Sequence, residues 1–355
     1  MVKNRKLDDL RRVITENLRV QRDVDAIEYV NVGVALSDAC SRQNHVIFAR
    51  RGCGKTLLLH HSGKHLPETS KTIYLNCEDF KRHTFPNVLI EVLLALFREL
   101  DQNLTGWFGK KKRSKELISE VIQKLENLQK TSDSQQEQVT HTSASEAGGA
   151  IELGVKQKGF SASGKRSGSR REEVERIFSR NKEKLQELDH WLPKLKNNVR
   201  DFFDLSNSVK AVYLQIDDLY HLKRADQAFV VDYIHRLCKD LPLYFKVATL
   251  RHASTLYVDR DGQPIGAQER HDYQPINIDY TFNDFVKTRK QNWQILVEFA
   301  KRAKMSENDV QALFKGEGFD RLVMAGGGVP RDVLSLFLEV LSTVSVDERP
   351  EDWQG

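Results

Sequence analysis

Between residues 49 and 56 the chain reads Ala49-Arg50-Arg51-Gly52-Cys53-Gly54-Lys55-Thr56. Two glycines two apart let a backbone turn tightly, so that its N–H groups converge on an anion. A lysine next to them places an ammonium against phosphate oxygens, and a threonine hydroxyl can ligate Mg²⁺. This is the phosphate-loop pattern G-x-x-x-x-G-K-[ST] in all but its first position, where alanine stands for glycine. A second group of chemical residues lies far downstream. The apolar run Val209–Ile216 ends on Asp217-Asp218. An acid at the end of a neighbouring strand can orient the metal and its water, and a second acid can polarise an attacking water. The chemistry these residues suit is binding and hydrolysis of a nucleoside triphosphate.

Such residues work only if the chain gathers them. His45–Ala49 is a short apolar run, and Thr56–His61 has helical character, so the loop sits between a strand and a helix whose positive end faces the phosphates. Further strands are expected at 72–75, 209–216, 243–250 and 274–278, with helices at 85–100 and 227–238 between them. Strands alternating with helices indicate an α/β fold with a parallel sheet covered on both faces. Parallel strands gather their C-terminal ends at one edge, where ligands bind. That edge would receive Thr249 and Arg251, from the end of the 243–250 strand, beside the loop. Arg331 follows Gly328-Val329-Pro330 at the start of the last helix. A cation there opposes the helix dipole, which makes an external anion its natural partner.

The remaining chain divides by composition. Residues 5–40 read as helical, with Leu7, Leu10, Val13, Ile14 and Leu18 on one face. Residues 102–178 read as a polar insertion with little core-forming periodicity. Lys115–Leu128 is expected to be helical and Thr131–Gly149 flexible, while 150–171 is a Gly/Ser-rich basic stretch that suits a loose hairpin or disorder. A charged helix is expected over 179–205. From 281 onward the chain reads as helices at 281–303, 306–316, 318–325 and 329–345. The expected organisation is a helical segment (1–40), an α/β domain (41–280) carrying the insertion, and a helical lid (281–355).

At 355 residues, 39% hydrophobic and 30% charged, the chain can build a sizeable core. A net charge of +5 admits nucleic acid or an acidic partner and requires neither. No apolar run approaches the roughly 18 residues that span a bilayer. The start MVKNRKLDDLRR has no apolar stretch behind its charges, so neither a membrane association nor a secretory leader is expected. Cys40, Cys53, Cys77 and Cys238 form no CxxC pair and read as reduced thiols, which fits a cytoplasmic protein.

The loop at 49–56, Asp217-Asp218, Thr249 to Arg251 and Gly328-x-Pro330-Arg331 occur in an order that resembles the AAA+ P-loop ATPases, in particular the origin-recognition/Cdc6-like and STAND-type branch. The likeness covers roughly 20–101 and 205–345. It implies a five-stranded parallel sheet in the order 5-1-4-3-2 followed by a helical lid. ATP and Mg²⁺ are then the expected ligands. Arg51, Gly52, Cys53, Gly54, Lys55, Thr56 and Leu57 would bind the nucleotide, with Lys55 and Thr56 at its phosphates, and Val30 would line the adenine. Thr56 and Asp217 would serve the metal and Asp218 would be the catalytic carboxylate. Thr249 and Arg251 resemble the first sensor and Arg331 the second. The likeness also implies a homo-oligomer regulating a protein partner, in a bacterial antiviral or DNA-associated setting. Asp in place of the more common Glu at 218 shortens the reach to water and suggests slow turnover. No motif singles out an arginine finger, although Arg260 and Arg270 lie where one could fall. A different expectation attaches to the basic stretch 155–171: Lys156, Lys158, Lys165, Arg166, Arg170 and Arg171 could contact a nucleic-acid backbone, with Phe160, Trp107 and Phe108 stacking on bases.

Overall fold

The computed structural model describes residues 2–18, 27–83, 85–104, 109–148, 163–206, 208–260 and 262–347. Its centre is a parallel sheet of β1 (His45–Phe48), β2 (Ser70–Asn76), β3 (Ala211–Asp217), β4 (Leu243–Thr249) and β7 (Gln274–Asn277). Between β4 and β7, β5 (Tyr257–Arg260) and β6 (Gln263–Gly266) form a separate antiparallel hairpin. Across the sheet the order is β7-β1-β4-β3-β2, the fifth, first, fourth, third and second of its strands in chain order. Every residue of β1 and β3 is buried, as expected of strands covered on both faces. The edge strands β2 and β7 are only partly buried. Register aligns Phe48 with both Thr249 and Asn277, and Asn76 with Asp217, so the strand ends meet at one edge.

Alternation along the strands sorts their residues between two layers. Val212, Leu214 and Ile216 of β3 join the large core formed with α4 (Asn87–Asn103), α5 (Gly109–Gly148), α6 (Ser163–Leu205) and α7 (Arg224–Cys238). The intervening residues face α2 (Ala35–Cys40) and α3 (Lys55–His65), and each finds a polar partner there. The Tyr213 hydroxyl donates to the Cys40 carbonyl at 3.2 Å. The Gln215 amide donates to the Leu59 carbonyl at 2.9 Å and to Ser62 Oγ at 3.2 Å. Asp217 is the next residue on this face, and the same alternation carries its carboxylate to the first turn of α3.

A second core is built from α1 (Val2–Asn17), α8 (Phe285–Arg302), α9 (Glu307–Gln311), α10 (Gly318–Ala325) and α11 (Pro330–Asp347). Leu10 and Ile14 of α1 are fully buried against Leu296, Phe299 and Phe337. Trp293, Phe314 and Phe319 meet edge to face at 5.0–6.2 Å between ring centres. Ser306 and Asp309 form a reciprocal capping box that starts α9.

Three expectations change. Residues 5–40 are not one helical run: α1 packs with the C-terminal helices, 27–34 is irregular, and α2 packs against α3. The insertion is not peripheral to the core. Ile118, Val121 and Leu125 of α5 are buried between α4 and α6, spaced three and four apart on one helical face. Helix also continues across 131–148, where a flexible segment was expected, and across 163–171. Gln, Glu, Ser and Ala in 131–148 carry no Pro and few Gly, so composition did not oppose helix propagation. Finally, β5 and β6 were not anticipated, although Asp261-Gly262 is a strong hairpin-turn signal.

Candidate functional site

The turn from β1 to α3 is made by two glycines in left-handed conformation, Gly52 at φ 91° and Gly54 at φ 87°. Side chains rarely adopt this conformation, which accounts for both glycines. Gly54 is the N-cap of α3, so the helix starts at Lys55 with its free N–H groups facing the loop. Ala49 has no left-handed backbone, so glycine is not required at the one position where the motif departs. The Lys55 ammonium is buried and donates to the carbonyls of Ala49 (3.2 Å) and Arg50 (3.3 Å). Burial lowers its pKa, an effect opposed by the charges of Asp218 and Asp217.

Asp217 is fully buried at the end of β3, and both its oxygens are engaged. Oδ2 accepts from Thr56 Oγ1 at 2.6 Å and from the Tyr74 hydroxyl at 2.8 Å. Oδ1 accepts from the Asp218 backbone N–H at 2.9 Å. Asp218 itself is left-handed, at φ 52° and ψ 43°, a region Asp tolerates better than most residues. Burial raises its pKa, and the neighbouring Asp217 charge adds to the effect. Tyr220 stands over this group. Burial and the Asp218 charge push its phenol up to about 12, and the Lys55 ammonium lies 5.9 Å from its ring centre.

Gly52 also permits a close approach. A Cβ on it would lie 2.9 Å from Arg331 Cβ and 3.0 Å from Val329 Cγ1, so the start of α11 rests directly on the loop. Arg331 thus flanks a cleft whose floor is Gly52, Gly54 and Leu57. Val30 and Tyr29 line one wall, and Ile295 and Phe299 of α8 line another. The cleft runs between the glycine loop with the start of α3, the end of α1, the 27–30 segment, and the C-terminal helices α8 and α11.

Of the other anticipated residues, Arg51 is exposed and Cys53 is buried. Burial, then the Asp279 charge, pushes the Cys53 thiol up to about 12, far from a nucleophile at neutral pH. The Thr249 hydroxyl is fully buried and hydrogen-bonded to Ser254. Arg251 is committed elsewhere: its guanidinium stacks 4.0 Å from the Phe48 ring centre and donates to Glu269 (2.9 Å) and Asn277 (3.2 Å). Arg270 is left-handed at φ 68°, beside the bridge of Glu269 to Tyr273. Trp107, Phe108, Lys156, Lys158 and Phe160 lie outside the described residues, while Lys165, Arg166, Arg170 and Arg171 fall within α6.

Sequence reasoning missed Tyr74, Tyr220, Arg50 and Asp279. Tyr220 could have been found, since it lies two residues after the acid pair. The other three depend on contacts with residues more than 140 positions away.

The fold and the site define an α/β protein with a five-stranded parallel sheet whose C-terminal edge gathers a glycine loop, a buried lysine and an acid pair. No family model matches the chain, and no curated protein is significantly similar to it in sequence. No helix among the described residues is long and apolar enough to cross a membrane.

Proposed function

We propose that the chain is an AAA+- or STAND-like ATPase that binds ATP with Mg²⁺ between its sheet and its C-terminal helices and converts it slowly to ADP and phosphate. The observation that carries this reading is the 2.6 Å hydrogen bond between Thr56, in the first turn of the loop's helix, and the buried Asp217. Mg²⁺ prefers oxygen ligands and commonly takes one or two from protein, the rest from phosphate and water. The Thr56 hydroxyl and the Asp217 carboxylate fit that need. Among the described residues no cluster of three or more His, Cys, Asp or Glu side chains suits a metal held by protein alone. The metal, when bound, would neutralise charge on the phosphates.

The remaining roles belong to the chain. Lys55 and the N-terminal end of α3 attract the phosphates. The apolar walls at Val30 and Phe299 suit a purine face and exclude water. Asp218 takes the proton of the attacking water, and its raised proton affinity makes it a better base for that purpose. Arg331 offers a cation to the terminal phosphate from the start of α11. Support for an oligomeric switch acting on a protein partner comes from the resemblance alone.

The test is ATP binding and turnover by the purified protein. The parent should bind ATP in a Mg²⁺-dependent manner, Lys55→Ala should lose binding, and Asp218→Asn should keep binding and lose turnover. A parent that binds no nucleoside triphosphate overturns the reading. An Asp218→Asn protein that hydrolyses at the parent rate overturns the catalytic assignment.

A further inference from the structure

The phosphate loop carries two adjacent arginines, and the structure uses them oppositely. Arg51 is exposed at the tip of the loop. Arg50 turns away from the cleft, and every guanidinium nitrogen is engaged. Its Nε and one terminal nitrogen grip both oxygens of Asp279, just after β7, at 2.7 and 2.9 Å. The same terminal nitrogen also reaches the Tyr280 carbonyl at 3.3 Å, and the other donates to the Gly327 carbonyl at 2.8 Å. The Arg50 backbone N–H adds a 3.0 Å bond to Asp279. A two-point arginine–carboxylate pair is directional as well as strong, so it fixes orientation in a way a single contact does not.

Gly327 belongs to the turn between α10 and α11, which ends at Pro330-Arg331. The next carbonyl in that turn, Gly328, accepts from Asn292 of α8 at 3.1 Å. The turn is therefore tied on one side to the C-terminal helices and on the other to the phosphate loop. Arg331 lies four residues beyond the carbonyl that Arg50 holds, and its Cβ sits against Gly52. Asp279 is well shielded, its side chain only 13% exposed, so the clasp is not a loose surface pair.

We infer that Arg50 is a positioning residue that, through Asp279 and the Gly327 carbonyl, docks the C-terminal helices on the phosphate loop and sets where Arg331 stands in the nucleotide site. The inference rests on the proposed nucleotide reading, because it is the terminal phosphate that Arg331 would serve. Arg50 touches no substrate and acts only through the turn. Movement of the C-terminal helices relative to the sheet would have to break this clasp, so it couples the state of the loop to the helices.

Two variants test it, Arg50→Lys and the near-isosteric Asp279→Asn, with thermal unfolding to establish that each is folded. A lysine keeps the charge but not the fork. The first readout needs no nucleotide: amide hydrogen exchange over 326–332 in the full chain. Both variants should speed exchange there by tenfold or more relative to the parent, while exchange in β3 stays unchanged. The second readout is a double-mutant cycle on ATP turnover. Arg50→Lys should lower turnover about tenfold with ATP affinity within about threefold, and Arg50→Lys combined with Arg331→Ala should be no slower than Arg331→Ala alone. Independent effects that multiply, or unchanged exchange at 326–332 in both variants, would overturn the inference. If the parent neither binds nor hydrolyses ATP, the nucleotide reading fails and Arg331's role with it. The exchange result then still decides whether Arg50 holds the turn.

Discussion

The Thr56 hydroxyl and the Asp217 carboxylate, 161 positions apart in the chain, meet at 2.6 Å. The contact exists because a glycine turn starts α3 at residue 55 and because strand alternation points Asp217 to the α3 side of the sheet. Asp217→Asn tests the consequence. The amide keeps the shape but replaces an anionic acceptor by a neutral oxygen and a donor, which Thr56 and Tyr74 cannot both satisfy as they do now. Mg²⁺-dependent turnover should fall on the order of 100-fold, and half-saturation should require more Mg²⁺. A Mg²⁺ titration of ATP hydrolysis measures both. Parent-like Mg²⁺ dependence would remove Asp217 from the metal's surroundings.

Gly52 and Gly54 separate backbone strain from close packing. Both are left-handed, but a Cβ on Gly54 meets nothing within 4 Å, whereas one on Gly52 collides with Arg331 and Val329. Alanine at either position should destabilise by about 1–3 kcal/mol through strained backbone. Gly52→Ala should in addition loosen the start of α11. Thermal unfolding should show loss in both, while faster amide exchange at 329–333 should appear only with Gly52→Ala. Equal exchange in the two variants would mean that α11 does not depend on the loop surface.

These contacts explain what the sequence could and could not disclose. The loop, its flanking strand and helix, and Asp217-Asp218 are local patterns of residue type and period, so they were readable in place. The Arg50–Asp279 clasp spans 229 positions, and nothing near Arg50 distinguishes it from Arg51. Arg251 was readable as a strand-end residue, but its direction was not. A cation at that edge can turn toward the cleft or toward β7, and Glu269, Asn277 and the Phe48 ring draw it to β7. The apolar positions of α5 were visible too. Their dilution among lysines and glutamates hid the fact that they complete a core.

At the opposite end of the sheet, His45 Nδ1 lies 2.9 Å from the ammonium of Lys246, which also donates to the carbonyls of Ser41 (2.8 Å) and Gln43 (2.9 Å). Burial, then the Lys246 charge, pulls the His45 pKa down to about 4. An unfolded histidine takes its proton near pH 6.5. Between these values the unfolded chain binds more protons than the folded one. Stability contributed by neutral His45 is therefore fully present above about pH 6.5 and is lost as pH falls toward 4, by about 2–3 kcal/mol. His45→Gln supplies an acceptor for Lys246 that does not titrate. Denaturant unfolding at several pH values should show a shallower slope between pH 6.5 and 4 for this variant. Parallel slopes would mean that His45 does not titrate as its surroundings imply.

Leu125 decides whether α5 is a structural part of the core or an appendage. It is fully buried, together with Ile118 on the same helical face, between α4 and α6. Truncation to alanine leaves a cavity that close-packed neighbours fill only in part, which costs about 2–5 kcal/mol. Leu125→Ala should therefore lower the unfolding free energy by that amount. Lys124→Ala, one position earlier, loses only a solvent-exposed ion pair with Glu120 and should leave it nearly unchanged. The damage should also travel. The Tyr233 hydroxyl of α7 donates to the Leu188 carbonyl of α6 at 2.7 Å, so a loosened α5–α6 pair should speed amide exchange in α7 as well. A Leu125→Ala protein that unfolds like the parent would show that the α5–α6 pair contributes little to the core beneath it, and that the sheet and α7 hold without it.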